Sequence, residues 1–489
     1  MKKFYSLLFT FVVVAICGNA YAQSNNIQRY INKLKQDTLF TDAVVGIMVM
    51  DSDENTIASW NPDMPMLTAS TMKTITTGMA LNLLGKEYRF KTRLGHTGYV
   101  ENGTLHGDLY IVGGGDPTLG SRDTLSIPLD TLFIQWHQQL LSAGITRVDG
   151  YIVADDRFFD TEIIPTSWSW SNIGPSYGSG PSGLSFSENL QYFRFIPGKN
   201  AGEKVYMHSV FPEVPKMEYI NELYTGESRT GNRSSYYVSD LSKVGSFKGS
   251  ITKDRDTVDI SVSNKFPHLS CAYEFKEYLT KNGILSNPDV ICAREFFSVP
   301  VEELTIIGET ISPPLQSIIN VTNRISNNFY AETLFKTIGK EMTQHGSYDS
   351  SYVAVSRAFK EMGLKIRGYT QVDGSGLSRQ DYVSARFFCN YFKAMKSMPD
   401  FEIFFNSLPQ PGHPGTLQSV LSRVNITEKS RIHAKSGSLA NVRCYAGYVE
   451  TLKGTEMLTF AIMTNNYSAS TAQMMVGIEG FLKELIEFK

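Results

Sequence analysis

The residues Thr68-Ala69-Ser70-Thr71-Met72-Lys73 set a hydroxyl and an amine three positions apart. On a helix, positions i and i+3 share a face, so Ser70 and Lys73 can touch. Serine is a weak nucleophile until a neighbouring base takes its proton. Lysine acts as that base only where burial or a second cation holds it neutral. Met72, Ile75, Met79 and Leu83 recur at helical spacing. That predicts a helix packed into a core, a rigid mount for the pair. A surface helix capped by its serine would carry the same short pattern, so the pair needs support from elsewhere in the chain.

Two further stretches offer that support. His433-Ala434-Lys435-Ser436-Gly437-Ser438-Leu439 holds the only Lys-Ser/Thr-Gly of the chain. On a strand lining a cleft, its lysine supplies a cation and its hydroxyl a hydrogen bond. Its glycine lets a substrate backbone come close. A polar strand end would read the same way. Ser-x-Asn occurs, among other places, as Ser24-Asn25-Asn26, Ser187-Glu188-Asn189 and Ser326-Asn327-Asn328. The first lies at the expected mature N-terminus and the second in a β-rich stretch with an expected structural role. Ser326 and Asn328 fall among helical patterns and are the chosen pair.

Around these residues the chain divides by texture. Residues 1–22 read as an export signal, with Lys2 and Lys3, an apolar run over 7–17 and Ala20-Tyr21-Ala22 before Gln23. Cys17 follows the bulky Ile16, which does not suit lipid attachment, and no later stretch reads as a transmembrane helix. Cleavage leaves 489 − 22 = 467 residues, room for two to four domains. The formal charge of −2 becomes about −4 without Lys2 and Lys3, which excludes a basic nucleic-acid footprint. Cys271, Cys292, Cys389 and Cys444 form no C-x-x-C; Cys271 and Cys292 can pair or remain buried thiols. Eight scattered histidines without H-E-x-x-H predict no catalytic metal.

A helix is expected over 26–35, strands over 44–50 and 56–60 around a turn, then the helix opened by Ser70. From 89 the chain turns β-rich, with Leu109-Tyr110-Ile111-Val112 and Tyr151-Ile152-Val153 among Gly- and Asp-rich turns. Gly113-Gly114-Gly115 lacks the Lys-Ser/Thr of a phosphate loop and reads as a tight turn. Residues 168–183 read as an ordered loop. Helical patterns return over 317–339, 352–362 and 385–395, followed by strands over 443–451 and 456–464 and a helix over 468–488. The expected plan is an α/β catalytic domain (23–88 and 302–489) holding a β-rich insertion (89–301), with a second lobe near 203–266.

Ser-x-x-Lys, Ser-x-Asn and Lys-Thr/Ser-Gly, in that order, form the set of the penicillin-recognising serine enzymes. Asp373-Gly374-Ser375-Gly376-Leu377-Ser378-Arg379, Gly415-Thr416-Leu417 and Ala446-Gly447-Tyr448 extend the likeness. So do residues 113–118, Asp155-Asp156 and the loop around Trp168 and Trp170. With them the chain resembles the serine D-alanyl-D-alanine carboxypeptidase/endopeptidase family, the class C (penicillin-binding protein 4 type) proteins, over nearly its whole mature length. The 326 − 73 = 253 residues between Lys73 and Ser326 exceed the gap of a class A β-lactamase. Two departures stand out: Ser436 where the family has threonine, and Ser171-Asn172 where it has an acidic residue.

The resemblance implies a penicillin-binding, β-lactamase-like transpeptidase domain with inserted β-rich domains. It implies hydrolysis of D-Ala-D-Ala ends, or cross-links, of peptidoglycan stem peptides, with β-lactams as covalent inhibitors and no cofactor. Ser70 is then the nucleophile, Lys73 its base and Ser326 the proton relay to the leaving amine. Asn328, Lys435, Ser436, Gly437 and Ser438 bind substrate, and the N–H groups of Ser70 and Ser438 hold the oxyanion. Asp155 and Asp156 are candidates for side-chain recognition. The expected location is the bacterial periplasm or cell surface. A β-lactamase or esterase on the same site, or a wall-binding protein without catalysis, are the rival readings.

Overall fold

The computed structural model describes residues 25–295, 299–452 and 456–488. The expected signal over 1–22 lies outside them. In chain order, helix α1 (Asn25–Leu34) is followed by strands β1 (Val44–Met50) and β2 (Thr56–Trp60). A 3₁₀ turn (Ala69–Thr71) then opens α2 (Met72–Leu84). Next come β3 (Lys91–His96), β4 (Leu109–Val112), α3 (Leu129–Ser142), β5 (Ile152–Asp155), α4 (Pro267–Lys281), β6 (Val290–Cys292) and β7 (Thr305–Ile311). Helices α5 (Leu315–Ile325), α6 (Asn328–Thr343), α7 (Tyr348–Glu361) and α8 (Ala385–Lys396) follow. Then come β8 (Ile432–Leu439), β9 (Val442–Glu450), β10 (Met457–Asn465) and α9 (Thr471–Ile486).

Two compact units result. Among the described residues, the first takes those within 25–82, 319–326 and 356–488; the second takes those within 83–318 and 327–355. The stretch 89–301, expected as an insertion, falls inside the second unit. That unit also takes up 83–88, 302–318 and 327–355, which the sequence reading gave to the catalytic domain.

The first unit is built on an antiparallel sheet in the order β2-β1-β10-β9-β8. Side chains alternate across a strand. On β1, Val45, Ile47 and Val49 therefore join Ile27 and Ile31 of α1, and Ile478, Phe481 and Leu482 of α9, in one core. The opposite face meets α8. With both faces covered, β1 is buried from Val45 onward and reads as a continuous apolar run. Helices α1 and α9, strands β1 and β2, and the C-terminal strands lie where the sequence places them, to within a few residues.

The second unit centres on a mixed sheet, β6-β5-β4-β3-β7, in which β4, β5 and β6 are parallel. Helix α3 makes the crossover from β4 to β5 and packs Trp136 and Leu140 against Leu109, Ile111 and Ile152. A further core of Phe193, Phe195, Tyr236, Phe247 and Ile251 is formed by two three-stranded sheets between Leu190 and Ser263. This is the lobe expected near 203–266, begun one strand earlier.

One expectation changes, and of two open alternatives the structure takes one. The helical stretch over 317–339 is broken into α5 and α6. Ser326 takes a left-handed φ of +62°, and Asn327 is extended and caps α6 by accepting the N–H of Tyr330. Cys271 and Cys292 are not paired; all four described cysteines are buried free thiols.

Candidate active site

The turn that carries Ser70 is strained and held on several sides. Ala69 has φ +45°, a conformation that costs an L-residue about 1–3 kcal/mol. Thr71 Oγ1 donates to Thr68 O at 2.6 Å. Gly376 packs so close that a Cβ there would stand 1.9 Å from Ala69 O. A Cβ on Gly437 would stand 2.5 Å from Thr68 O and 3.1 Å from Ser70 N. Strand β8 therefore presses its Lys-Ser-Gly segment directly against the turn that carries Ser70.

From that turn α2 runs into the core, and every residue from Met72 to Leu81 is buried. Lys73 is wholly inaccessible, with Nζ 2.9 Å from Ser70 Oγ and 2.9 Å from Ser375 O. The second contact comes from a loop that the Asp373 carboxylate organises. It accepts the N–H groups of Ser375 (3.1 Å), Gly376 (2.6 Å) and Ser378 (2.7 Å). The same loop gives Gly374 O to Thr76 Oγ1 at 2.6 Å. A short polar side chain bonding backbone groups a few residues ahead is ordinary turn chemistry. Here it aims a carbonyl at the lysine. The Asp-Gly-Ser-Gly pattern carried that signal; the resemblance noted the segment without giving it this role.

Lys435 is also fully buried and donates to Ser436 O at 2.9 Å. Burial first, and then the charge of Lys73, pushes its amine well below the ordinary lysine range. Strand β8 is paired on one side only. Ala434 N–H turns away from β9 to bond Pro409 O at 3.0 Å. Backbone N–H groups alternate along an antiparallel strand, so those of Ser436 and Ser438 face the same open edge. Ser438 is exposed and Ser436 half-buried. One residue before Ala434, His433 stacks on Phe405 with ring centres 3.8 Å apart. Its Nε2 lies 2.8 Å from the Gln410 amide nitrogen and its Nδ1 lies 3.3 Å from Phe405 O. The imidazole is pushed down to about 4, chiefly by burial.

Helix α5 places Ser326. Asn323, fully buried, donates through Nδ2 to Thr77 Oγ1 (3.1 Å) and to Ser407 Oγ (2.8 Å). Thr77 Oγ1 in turn donates to Lys73 O at 2.7 Å. Arg324 O accepts the N–H of Thr416 at 3.0 Å. The helix that ends at Ser326 is thus tied to the helix that carries Lys73, a link the sequence reading missed.

The structure therefore brings together Ser70, Lys73 and the Lys435–Ser438 edge, and sets Ser326 on the same unit. Asn328 belongs to the second unit, where it begins α6 and donates Nδ2 to Tyr177 O at 2.9 Å. Ser187 and Asn189 form a buried turn in which the Asn189 amide donates to Gly180 O and Ser185 Oγ, a structural use. The two candidate recognition carboxylates are both engaged with arginines. Asp155 is held by Arg157 at 2.6 Å and Asp156 by Arg294 at 2.7 Å.

Known proteins resemble this chain along most of its length. The model of the D-Ala-D-Ala carboxypeptidase 3 (S13) family matches residues 27–485. A D-alanyl-D-alanine carboxypeptidase of an Actinomadura species is 26% identical over 471 residues, covering 93% of this chain and 84% of the relative. One from Haemophilus influenzae is 24% identical over 432 residues, covering 87% and 86%. The crystal structure of penicillin-binding protein 4 from Haemophilus influenzae superposes with a TM-score of 0.81 at 23% identity, covering 94% of this chain and 98% of that one. Its complex with a β-lactam superposes with a TM-score of 0.76.

Proposed function

The chain belongs to the D-Ala-D-Ala carboxypeptidase 3 (S13) family and is a serine-type DD-peptidase, a hydrolase; from that premise we propose how its own residues work. The observation that carries the reading is the contact of Lys73 Nζ with Ser70 Oγ at 2.9 Å, in a buried setting beside an open strand edge. The substrate is a stem peptide of peptidoglycan ending in D-Ala-D-Ala, laid along the open edge of β8 as an added strand. Its terminal carboxylate is drawn to Lys435 and Ser436.

Lys73 and Lys435 are buried amines that repel each other, so both resist being charged together. A substrate carboxylate at Lys435 holds charge there and leaves Lys73 as the base. Ser70 Oγ then gives its proton to Lys73 and attacks the penultimate D-alanine carbonyl. The N–H groups of Ser70 and Ser438 receive the developing oxyanion; one such donor is worth about 100- to 1,000-fold in rate. Ser326 relays a proton to the departing D-alanine amine, and Asn328 binds the substrate backbone. Water releases the acyl group and restores Ser70. No step requires a cofactor. A β-lactam enters the same sequence and leaves Ser70 acylated.

The protein acts on the wall after export, with cleavage before Gln23. N-terminal sequencing of the secreted protein should begin at Gln23; an intact Met1 would overturn this part.

Intact-mass analysis after incubation with benzylpenicillin, followed by peptide mapping, tests the chemistry. A stable adduct on Ser70, absent from Ser70→Ala, is expected. An adduct on another residue overturns the assignment. Penicillin consumed without an adduct identifies a β-lactamase instead.

A further inference from the structure

A cavity of about 450 Å³ lies in the second unit, and none of its lining residues belongs to the unit that carries Ser70. Its walls include Val112, Gly113 and Gly114, which end or follow β4, and Asp155, Arg157 and Phe158, which end or follow β5. Strands β4 and β5 are parallel, with Leu109 beside Ile152 and Val112 beside Asp155. The cavity thus opens where parallel strands end, the place in open α/β sheets where ligands are ordinarily held. Its volume is that of a site for a small ligand.

Charge decides what kind of ligand. Five cations line the cavity: Arg89, Lys91, Arg93, Arg157 and Lys340. Three carboxylates face them: Asp155, Glu302 and Glu341. Arg157 and Asp155 neutralise each other, and Glu341 accepts the Tyr88 hydroxyl at 2.9 Å. Lys91 and Arg93 share one carboxylate, Glu309, at 3.3 and 3.0 Å. Arg89 donates to the backbone of Ser312, and Lys340 to the backbone of Gln344. Neither has a carboxylate partner among the described residues. The lining is left with a surplus of positive charge whose donors can still give a charge-assisted hydrogen bond to an anion.

We propose that this cavity binds the carboxylates of an acidic peptide, a second and non-reacting stem of the wall polymer. The proposal rests on the DD-peptidase reading for the identity of the peptide. Stem peptides carry free carboxylates on a short backbone, which matches both the charge and the volume. The cavity then holds the polymer to the enzyme independently of the bond being cut.

The full mature protein is first acylated with benzylpenicillin, so that its serine cannot turn over the probe. Calorimetry then titrates an N-acetylated Ala-γ-Glu-Lys tripeptide without D-alanine, its carboxamide analogue, and inorganic phosphate. The acidic tripeptide should bind, and the carboxamide at least tenfold more weakly. A Lys91→Gln/Lys340→Gln double variant should bind at least tenfold more weakly while acylating at the wild-type rate. No binding, equal binding of the carboxamide, or binding untouched in the double variant each overturns the proposal. Binding of phosphate but not of tripeptide also overturns it, in favour of a phosphate ligand. If no acyl adduct forms, the enzyme reading fails separately, and the titration is read on the unmodified protein.

Discussion

At Gly437 the strand that carries Lys435 and the turn that carries Ser70 leave no room for a methyl group. The sequence suggested that this glycine admits a substrate backbone. The structure fills the space with the chain's own backbone at Thr68 and Ser70. Gly437→Ala must therefore shift the turn that carries Ser70. Acylation by benzylpenicillin should slow at least tenfold, with a loss of about 1–3 kcal/mol in a denaturant melt. Lys435→Ala should raise KM for peptides with a free terminal carboxylate. Equal loss on substrates lacking that carboxylate would contradict its role. His433 makes the fold acid-sensitive. Its folded pKa of about 4 lies below the ordinary 6.5, so the unfolded chain takes up the proton first. Its contribution is complete above pH 6.5 and is lost as pH falls toward 4, by about 3 kcal/mol. In His433→Gln the fall in stability between those pH values should be shallower; an unchanged profile would remove His433 as its source.

Among elements, the tie between α2 and α5 is the most informative. Asn323→Ala leaves Thr77 and Ser407 without their amide partner and should cost about 1–3 kcal/mol. If the tie positions Ser326, acylation should also lose kcat with KM little changed, and Thr77→Ser should keep the wild-type rate where Thr77→Val does not. Loss of stability with an unchanged acylation rate would reduce the tie to packing. The sequence showed most of the elements but not this junction. Apolar periodicity ran through 317–339 as one helix because a single left-handed residue leaves no trace in a 3.6-residue pattern. The hairpin of β1 and β2 was legible because its signals are local: an apolar run, a polar turn, a second strand. The loop at Asp373 was visible as a turn, but its service to Lys73 depends on contacts some 300 residues away in sequence.

For the whole molecule, the cysteines give a simple test. Burial raises Cys292 to about 11 and Cys389 and Cys444 to about 12, and raises Cys271 as well. Ellman's reagent should label none in the native mature protein and four in guanidinium chloride, and reductant should leave Tm unchanged; fewer than four would show a disulfide. The order of motifs along the chain was enough to suggest the fold class. The extent of the two units was not legible, because it depends on pairings such as Val44 with Asn465 that no local pattern announces. That pairing also sets a clock. Strand β1 sits between β2 and β10, so the sheet cannot close until the last strands have been made. Lys435 follows Lys73 by 435 − 73 = 362 residues, roughly 20–70 s of synthesis at about 5–20 residues per second. A chain interrupted before β8 holds Ser70 and Lys73 but none of the open strand edge beside them. A fragment of the hydrolase ending before Ile432 should therefore take up no benzylpenicillin, and labelling of that fragment at Ser70 would show the edge to be dispensable.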